Sequence, residues 1–501
     1  METLKSLYDY ETQDAPMLLD IRSDKVLPLS SGNNKHIFRL EPTGYLDKNS
    51  MLMFKLKSNV ADTLRMNVLN GGLGAIKRVQ LAVGDYILND VEGVSEWATL
   101  HNFMEVSRSA QNASLSQYLG NQLYTKVATG KVDDAGGVQQ QSKGEIIPDS
   151  ERAGLAVGGS ANASLTDGAY DSKVAVVNSL KISQTSSENH QVGIPLGMII
   201  PALKNRRIPL FLFTEYRIYI TIEFNDASQF VNNLAKTNYA GNETLQAASG
   251  DVSFEDVKLQ VDYIIEPAEL MEKMRNKINN AGGLVLDFYD VVRVETQLEA
   301  GTNGAVQRKE FKLGQNNREV HKIYMTRKFT DKTGFGRNLS LLNEQRIDGV
   351  NTESINWYIN GKDLYPEQEV NSNAILYDEV NSALDRDLDV ERPMFMNALD
   401  TQFAAMTSPN NPFNGTYKPL AVDLRNGNPG ILGAGTLIGN YPIVCKYSRI
   451  PTQAVARATG PPAVPGFRKD LGAMDVNFYV MASRRAVIKQ GVKGNDVQVT
   501  Y

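Results

Sequence analysis

Cysteine is nearly missing from this chain: Cys445 is the only one in 501 residues. No intrachain disulfide can form, and no Cys-X-X-Cys metal or redox pair exists. Histidine is almost as scarce. His36, His101, His190 and His321 are scattered at no metal-ligand spacing, so no zinc or haem site is expected. Long apolar runs are lacking too. The longest, near Val192 to Leu203, is interrupted by Pro195 and Pro201 and is too short to span a bilayer. The opening Met1–Ser6 has no apolar core of the kind a secretory signal requires. Together with the lone thiol, this predicts synthesis inside a cell under reducing conditions. A basic excess is also absent. Lys and Arg number 52 against 57 Asp and Glu, a formal net charge of −5, which argues against the counterion-releasing surface that non-specific nucleic-acid binding needs. No Lys/Arg run near either end offers an arm for packaging a genome.

Catalytic signatures are missing in the same way. There is no Gly-X-X-X-X-Gly-Lys-Ser/Thr phosphate loop and no Gly-X-Ser-X-Gly nucleophile elbow. The string Gly433-Ala434-Gly435-Thr436-Leu437-Ile438-Gly439 is one residue off the dinucleotide fingerprint and has no βαβ frame, so it reads as a glycine-rich loop. The acidic run Asp385-Arg386-Asp387-Leu388-Asp389-Val390-Glu391 has the carboxylates a glycosidase or a cation site needs. Arg386 and Arg392 neutralise part of it, and a solvated, ion-paired loop is the expectation. Glu11, Asp14 and Asp20 near the start read as solubilising charge. No catalytic, cofactor-binding or metal-ligating residue is therefore assigned, and no cofactor is expected.

What the chain does contain is a repetition. Val79–Val83, then Gly84-Asp85, then Tyr86–Leu88, precede a helical pattern from Val94 to Val106. Ile355–Ile359, then Asn360-Gly361, then Lys362–Tyr365, precede another from Ala374 to Leu384. Each is an alternating strand, a tight-turn dipeptide, a short second strand and an amphipathic helix. The helices share a spacing: Trp97, Leu100, Met104 and Tyr377, Val380, Leu384. Two copies of one β-rich unit suggest a duplicated domain presenting two similar faces, an arrangement suited to assembly. The length itself calls for two large domains or three medium ones, and 42% hydrophobic with 22% charged residues is a globular composition.

Along the chain, residues 1 to about 35 read as an irregular polar arm carrying Pro16 and Pro28. Alternation then begins at Phe38 and Leu40 and continues at Leu52, Phe54 and Leu56. From about 128 to 189 the sequence is dominated by Gly, Ala, Ser, Asn and Asp, and reads as a long surface loop inserted between strands. Tyr216 to Phe224 and Val257 to Ile265 alternate as half-buried strands, with Ile264 the exception. Glu266-Pro267 opens a short helix through Leu270, Met271 and Met274, ended by Asn280 and Gly282-Gly283, and the domain junction is placed there. Ile355, Trp357 and Ile359, then Leu420, Val422 and Leu424, then Val476, Phe478 and Val480 repeat the style. The class is mostly β, as antiparallel sandwiches.

Cys445 lies on an alternating segment with Tyr441, Ile443 and Tyr447 and reads as an inert core residue. Trp97 and Trp357 occupy apolar positions, so core packing is expected over a role as carbohydrate platforms. Arg206-Arg207 and Arg484-Arg485 either hold a neighbouring subunit or flank strands. Five Asn-X-Ser/Thr sequons, at Asn112, Asn162, Asn242, Asn338 and Asn414, read as by-products of Asn- and Ser-rich loops.

Val192-Gly193-Ile194-Pro195-Leu196, then Ile208-Pro209-Leu210, then Tyr216 to Ile222, resemble the corresponding run in double jelly-roll major capsid proteins. Lys258 to Ile265, leading into a Glu-rich helix, is similar to the end of their first jelly roll. Asn70 to Val79, entering a Gly-Asp hairpin and a Trp-bearing helix, fits as well. The size is similar to capsid proteins of virophages, polinton-like viruses and some large eukaryotic DNA viruses. The resemblance implies two tandem eight-stranded antiparallel jelly rolls with short helices. The expected division is an N-terminal arm over 1–35, a first jelly roll over 36–266 with its inserted loop at 128–189, a linker helix over 267–283 and a second jelly roll over 284–501. It implies a non-enzymatic structural protein that forms homotrimeric, pseudo-hexagonal capsomers and tiles an icosahedral shell. Its partners would be itself, neighbouring capsomers, and penton and minor capsid proteins, without sequence-specific nucleic-acid binding. Its place would be the virion. The alternatives are a carbohydrate-binding or carbohydrate-cleaving β-sandwich, and another virion component such as a spike.

Overall fold

In this computed structural model the described residues are 20–32, 34–60, 64–66, 71–98, 116–119, 124–126, 129–132, 138–141, 146–148, 182–204, 207–233, 247–281, 283–302, 304–329, 353–365, 420–425, 435–450, 473–491 and 494–500. Sixteen strands carry the architecture. In the first half they are β1 (Asp20–Val26), β2 (Lys35–Leu40), β3 (Met51–Ser58), β4 (Ile76–Val83), β5 (Tyr86–Glu92), β6 (Gln191–Pro195), β7 (Ile218–Phe224) and β8 (Val252–Ile265). A helix, α1 (Ala268–Ala281), follows. The second half has β9 (Leu284–Leu298), β10 (Gln307–Lys312), β11 (Glu319–Phe329), β12 (Glu353–Ile359), β13 (Lys362–Asp363), β14 (Leu420–Asp423), β15 (Val444–Arg449) and β16 (Met474–Gly491).

Pairing is antiparallel throughout and follows one plan twice. The first half forms a sheet β1-β8-β3-β6 and a sheet β2-β7-β4-β5. The second half forms β9-β16-β11-β14 and β10-β15-β12-β13. Counted within each half, both give the orders 1-8-3-6 and 2-7-4-5. This is the jelly roll, two interleaved Greek keys, so the chain is a double jelly roll and mostly β. A last strand, β17 (Gly494–Thr500), adds to β16.

Alternation in the sequence places the core. Leu52, Phe54 and Leu56 face inward from β3, and Leu259, Val261 and Tyr263 from β8, all at most 2% exposed. In β8 the register shifts between Glu255 and Lys258, and Asp256 takes φ 52; this is a bulge. Ile264, the residue that broke the alternation, is buried too. The second sandwich is filled by Phe311, Ile323, Met325, Trp357, Cys445, Val476, Phe478 and Val480.

The repeated hairpins are both present. Gly84 turns at φ 58 with Tyr216 Cδ1 only 2.7 Å from where a Cβ would sit, so a side chain would be strained and would collide. Asn360 and Gly361 take φ 49 and 83, the double left-handed pair of a two-residue hairpin turn. The first helical pattern begins as expected, at 94–98; its remainder and all of 374–384 fall outside the described residues. Helix α1 opens after Pro267, whose carbonyl accepts from Leu270 N at 2.9 Å, and stops before Gly283 at φ 133. It buries Met274 and Ile278, with Tyr45 donating to Glu266 Oε2 at 3.0 Å beside it.

The arm departs from expectation. Residues 20–26 are not irregular but form β1, paired residue for residue with β8 from Asp20↔Ile265 to Val26↔Leu259. Residues 30–32 pair with β2. Polarity concealed β1 because both of its faces are largely exposed; its partner strand holds it through the backbone. Most of the 128–189 segment falls outside the described residues. Its described parts include short antiparallel pairs, 129–132 with 138–141, and 146–148 with 124–126.

Candidate functional site

The region where polar chemistry concentrates is the junction between the two sandwiches. Strand β5 is the edge of its sheet, and it lies against β9 and β17 of the second sandwich. The apolar cluster of the first sandwich continues across this seam into Val291, Tyr324, Tyr479 and Met481. These side chains alternate with the ones facing the second core, such as Phe478 and Val480. The sheet β9-β16-β11-β14 is thus buried on both faces, by its own partner sheet and by the first sandwich.

Glu96 sits in the helical turn after β5 and is 3% exposed. Its Oε2 accepts from Asn477 Nδ2 at 2.8 Å and from the Tyr479 hydroxyl at 2.7 Å. The Thr326 hydroxyl donates to its Oε1. Burial, with Glu96 beside it, pushes the Tyr479 phenol well above its ordinary value, so it stays a donor. Arg293 donates to Asn477 Oδ1 at 3.0 Å. Burial lowers this guanidinium, but Tyr479, Glu295, Glu96 and Glu92 outweigh it and the net shift is upward. Gly93, at φ 67, packs against this network; a Cβ there would lie 2.8 Å from the Tyr479 hydroxyl and 3.0 Å from Arg293 Cδ. Only glycine fits.

A second knot lies along β5. Asn89, 1% exposed, donates to Asp290 Oδ1 at 2.9 Å and to the Tyr289 carbonyl at 3.2 Å, and accepts from Ala202 N at 2.8 Å. Arg484 Nη1 donates to the Leu88 carbonyl at 3.1 Å and to Asp290 Oδ2 at 3.3 Å. Burial raises the Asp290 carboxyl, while Arg484 and Asn89 oppose the rise. A buried charge truncated of its partner is costly, so this knot fixes one orientation of the two sandwiches. Beside the Glu96 network, a cleft of about 360 Å³ is lined by Lys77, Arg78, Glu92, Gly93, Glu96 and Arg293 among others. Arg78 is clasped by Asp90 at 2.7 and 2.5 Å, so its charge is committed within the chain.

The residues singled out in the sequence fall as follows. Cys445 is fully buried opposite Trp357 and Phe311, and burial raises its thiol. Trp97 and Trp357 are each 1% exposed, which removes them as carbohydrate platforms. Gly435 lies over β11: a Cβ there would meet Glu319, Val320 and His321 at 2.9 Å, and its N–H donates to Glu319 Oε1. The nearby strand pair Thr436–Leu437 adds to β11. Arg207 pairs with Asp47 at 3.4 Å and Arg485 with Asp287 at 2.6 Å; Arg484 ties the junction. Asp20 lies on β1. Glu11, Asp14, Arg206, His101 and the run 385–391 fall outside the described residues. No group of three or more His, Cys, Asp or Glu able to hold a metal occurs among the described residues, and no described helix is long and apolar enough to cross a membrane. The junction was not foreseen from sequence. Its one visible signal was a carboxylate, Glu96, set beside Trp97 in an apolar pattern.

Two jelly rolls of identical strand order in one chain make a double jelly roll, a fold shared with a group of viral major capsid proteins. PBCV-1 VP54, fitted into a cryo-EM reconstruction of the virophage Sputnik, superposes with a TM-score of 0.55 at 11% identity, over 97% of this chain and 98% of that one. The quasi-atomic model of the PBCV-1 virus capsid gives 0.53 at 11% identity, with 97% and 98% covered. The Faustovirus major capsid protein gives 0.53 at 10% identity, with 97% and 94% covered. No family model matches the chain, and no curated protein matches it in sequence.

Proposed function

We propose that this chain is a major capsid protein that assembles as a homotrimer of pseudo-hexagonal outline and tiles an icosahedral viral shell. The observation that carries the reading is the duplication itself. Two sandwiches of one strand order, fixed side by side by the Glu96 and Asn89 knots, give a subunit with two similar units, and three such subunits approximate sixfold packing from threefold symmetry. Similarity in fold to capsid proteins along both whole chains supports it.

On this reading the working division is 1–35 as an arm whose end joins the first sheet, 36–266 as the first jelly roll, 267–283 as the linker helix and 284–501 as the second jelly roll. The 128–189 insertion is an outward loop of the first jelly roll, and the acidic stretch 1–25 lies on the inner side, touching neighbours or minor capsid proteins. The role is structural. No residue acts as a catalyst, and assembly needs no cofactor. The protein resides in the virion shell after synthesis in the host cell. Apolar surfaces make the trimer permanent, and more polar capsomer edges select the closed lattice through weaker contacts. Negative-stain electron microscopy of the purified protein tests this. Threefold particles with a hexagonal outline are expected, and single copies or twofold pairs at every concentration overturn it.

A further inference from the structure

The sheet β2-β7-β4-β5 lines up four charged side chains at one of its ends. The register runs Lys35↔Glu223↔Arg78↔Glu92, so cations and anions alternate across the four strands on one face. This row borders two neighbouring clefts that share Lys77 and Glu223. The narrower, of about 360 Å³, reaches the junction at Gly93 and Arg293. The wider, of about 740 Å³, extends past Asn34 and Lys35 to Asp226. Together they make one groove across the strand ends. Its floor is fixed. Glu96 is closed by its three donors, Arg293 is held by Asn477 at 3.0 Å and Glu295 at 3.2 Å, and Asn225 donates to the Gly74 carbonyl at 2.8 Å. Its rim is uncommitted. Lys77 has no ion pair among the described residues, and the side-chain amides of Asn34 and Gln229 make no hydrogen bond to any of them. Glu92 stands 3.7 Å from Arg78 and Glu223 3.8 Å from Lys35, both beyond hydrogen-bond reach. A rigid floor with free polar groups above it is the form of a ligand site.

We propose that this groove binds a neutral oligosaccharide. The chemistry of its lining selects the class. The alternating charges cancel along the row, so no excess of positive charge is offered to a phosphate, a sulfate or a nucleic-acid backbone. The groove crosses the ends of strands, so it presents no edge ladder to which an extended peptide could add. What remains is donors and acceptors side by side: the Lys77 ammonium, the Asn34 and Gln229 amides, and the Glu92 and Glu223 carboxylates. Sugar hydroxyls, each donor and acceptor at once, match such a mixture. One groove is expected to bind weakly, at about 1 mM, because exchanging water for hydroxyl partners gains little. Repetition of the groove over a shell would turn weak sites into firm adhesion. The chain that carries the 128–189 insertion departs at the end of β5, beside Glu92, so groove and insertion share one end of the first sandwich. That this end faces outward, toward a glycan-coated cell surface, rests on the capsomer reading; the binding itself does not.

Saturation-transfer NMR on the full chain tests it with soluble probes of three kinds. They are neutral oligosaccharides of hexose, N-acetylhexosamine, deoxyhexose or pentose units, sialylated or sulfated oligosaccharides, and unstructured peptides. Transfer to at least one neutral oligosaccharide is expected, with none to the acidic or peptide probes at the same concentration. Lys77→Ala and Gln229→Ala change exposed side chains, so both should keep the wild-type circular dichroism spectrum. They are expected to weaken that binding by about tenfold and about threefold, a lost charged and a lost neutral hydrogen bond. Lys25→Ala, on β1 and outside the groove, should leave it unchanged. Transfer to no neutral probe, preference for the acidic or peptide probes, or binding that all three variants share with wild type overturns the inference. Negative-stain images of the same samples separate it from the capsomer reading. Threefold particles that bind no neutral glycan leave that reading standing and remove the site. Single copies that bind one in a Lys77-dependent way keep the site and remove the reading.

Discussion

In the second sandwich Val291, Tyr324, Tyr479 and Met481 point away from their own core and are still at most 4% exposed, whereas Ile21, on the matching edge strand of the first sandwich, is 63% exposed. One strand order thus carries two differently finished faces. The covered face combines aromatic and aliphatic bulk with a few fully partnered polar groups, Asn477, Thr326 and Tyr479 around Glu96. The outer face of β3 carries Met51 and Met53, then Lys55 and Lys57, all partly buried, and Lys57 pairs with Glu255 at 2.9 Å. Burial within the chain is permanent, so polar groups there must be satisfied once and for all. A face left partly in water needs no such matching, and flexible methionine and long-stemmed lysine suit it.

The most damaging way to break this contrast is at Glu96. Glu96→Ala removes the buried acceptor for Asn477, Tyr479 and Thr326, and a loss of about 3–5 kcal/mol is expected. Urea denaturation followed by tryptophan fluorescence measures it. Tyr479→Phe, which deletes one donor and keeps the ring, is expected to cost about 1–3 kcal/mol. Equal costs for the two variants would mean that the Tyr479 hydroxyl alone carries what Glu96 contributes, and that Asn477 and Thr326 add nothing.

Acid exposes a second difference between the halves. His321, on β11 of the second sandwich, is fully buried, with Nε2 2.6 Å from the Ser483 hydroxyl. Burial, with Arg425 and Lys322 adding to it and Asp423 opposing, lowers its imidazole from 6.5 to about 4. Glu319, 3.9 Å away, is too far for a hydrogen bond. A depressed folded-state value means the unfolded chain binds the proton first. Stability is therefore complete above pH 6.5 and is lost as pH falls toward about 4, by about 3 kcal/mol in all. Asp290 works in the opposite direction, since burial raises its carboxyl and acid relieves a buried charge. His321→Asn should flatten the slope between pH 6.5 and 4 in denaturation curves. An unchanged slope would assign the acid sensitivity to other groups.

Much of the fold was legible because half-buried strands write their period into the chain. Leu52-Phe54-Leu56 and Leu259-Val261-Tyr263 each announce one wet face and one dry one. The hairpins were legible through Gly84-Asp85 and Asn360-Gly361, whose backbone angles few other residues accept. Strand β1 was not legible. DIRSDKV buries almost nothing, and its position is set by hydrogen bonds to β8, which leave no mark on side-chain chemistry. The junction was illegible for a different reason. Its partners are separated by up to 396 residues, as from Leu88 to Arg484, and Asn89 and Asp290 look like ordinary surface polar residues until the fold brings them together. Arg484 was noticed, but its role within the chain rather than between subunits follows only from the seam.

The finest comparison sets Val291 against Ile21. Both lie on the first strand of a sandwich and face away from its core; Val291 is 1% exposed and Ile21 63%. Val291→Ala removes two methyl groups from a closed, packed seam and is expected to cost about 1–2 kcal/mol. Ile21→Ala trims a larger side chain that is still 63% in water, and a change within about 0.5 kcal/mol is expected for the dissociated chain. Urea denaturation of the two variants measures the contrast, and a cost at Ile21 equal to that at Val291 would mean that exposure does not decide what these side chains contribute.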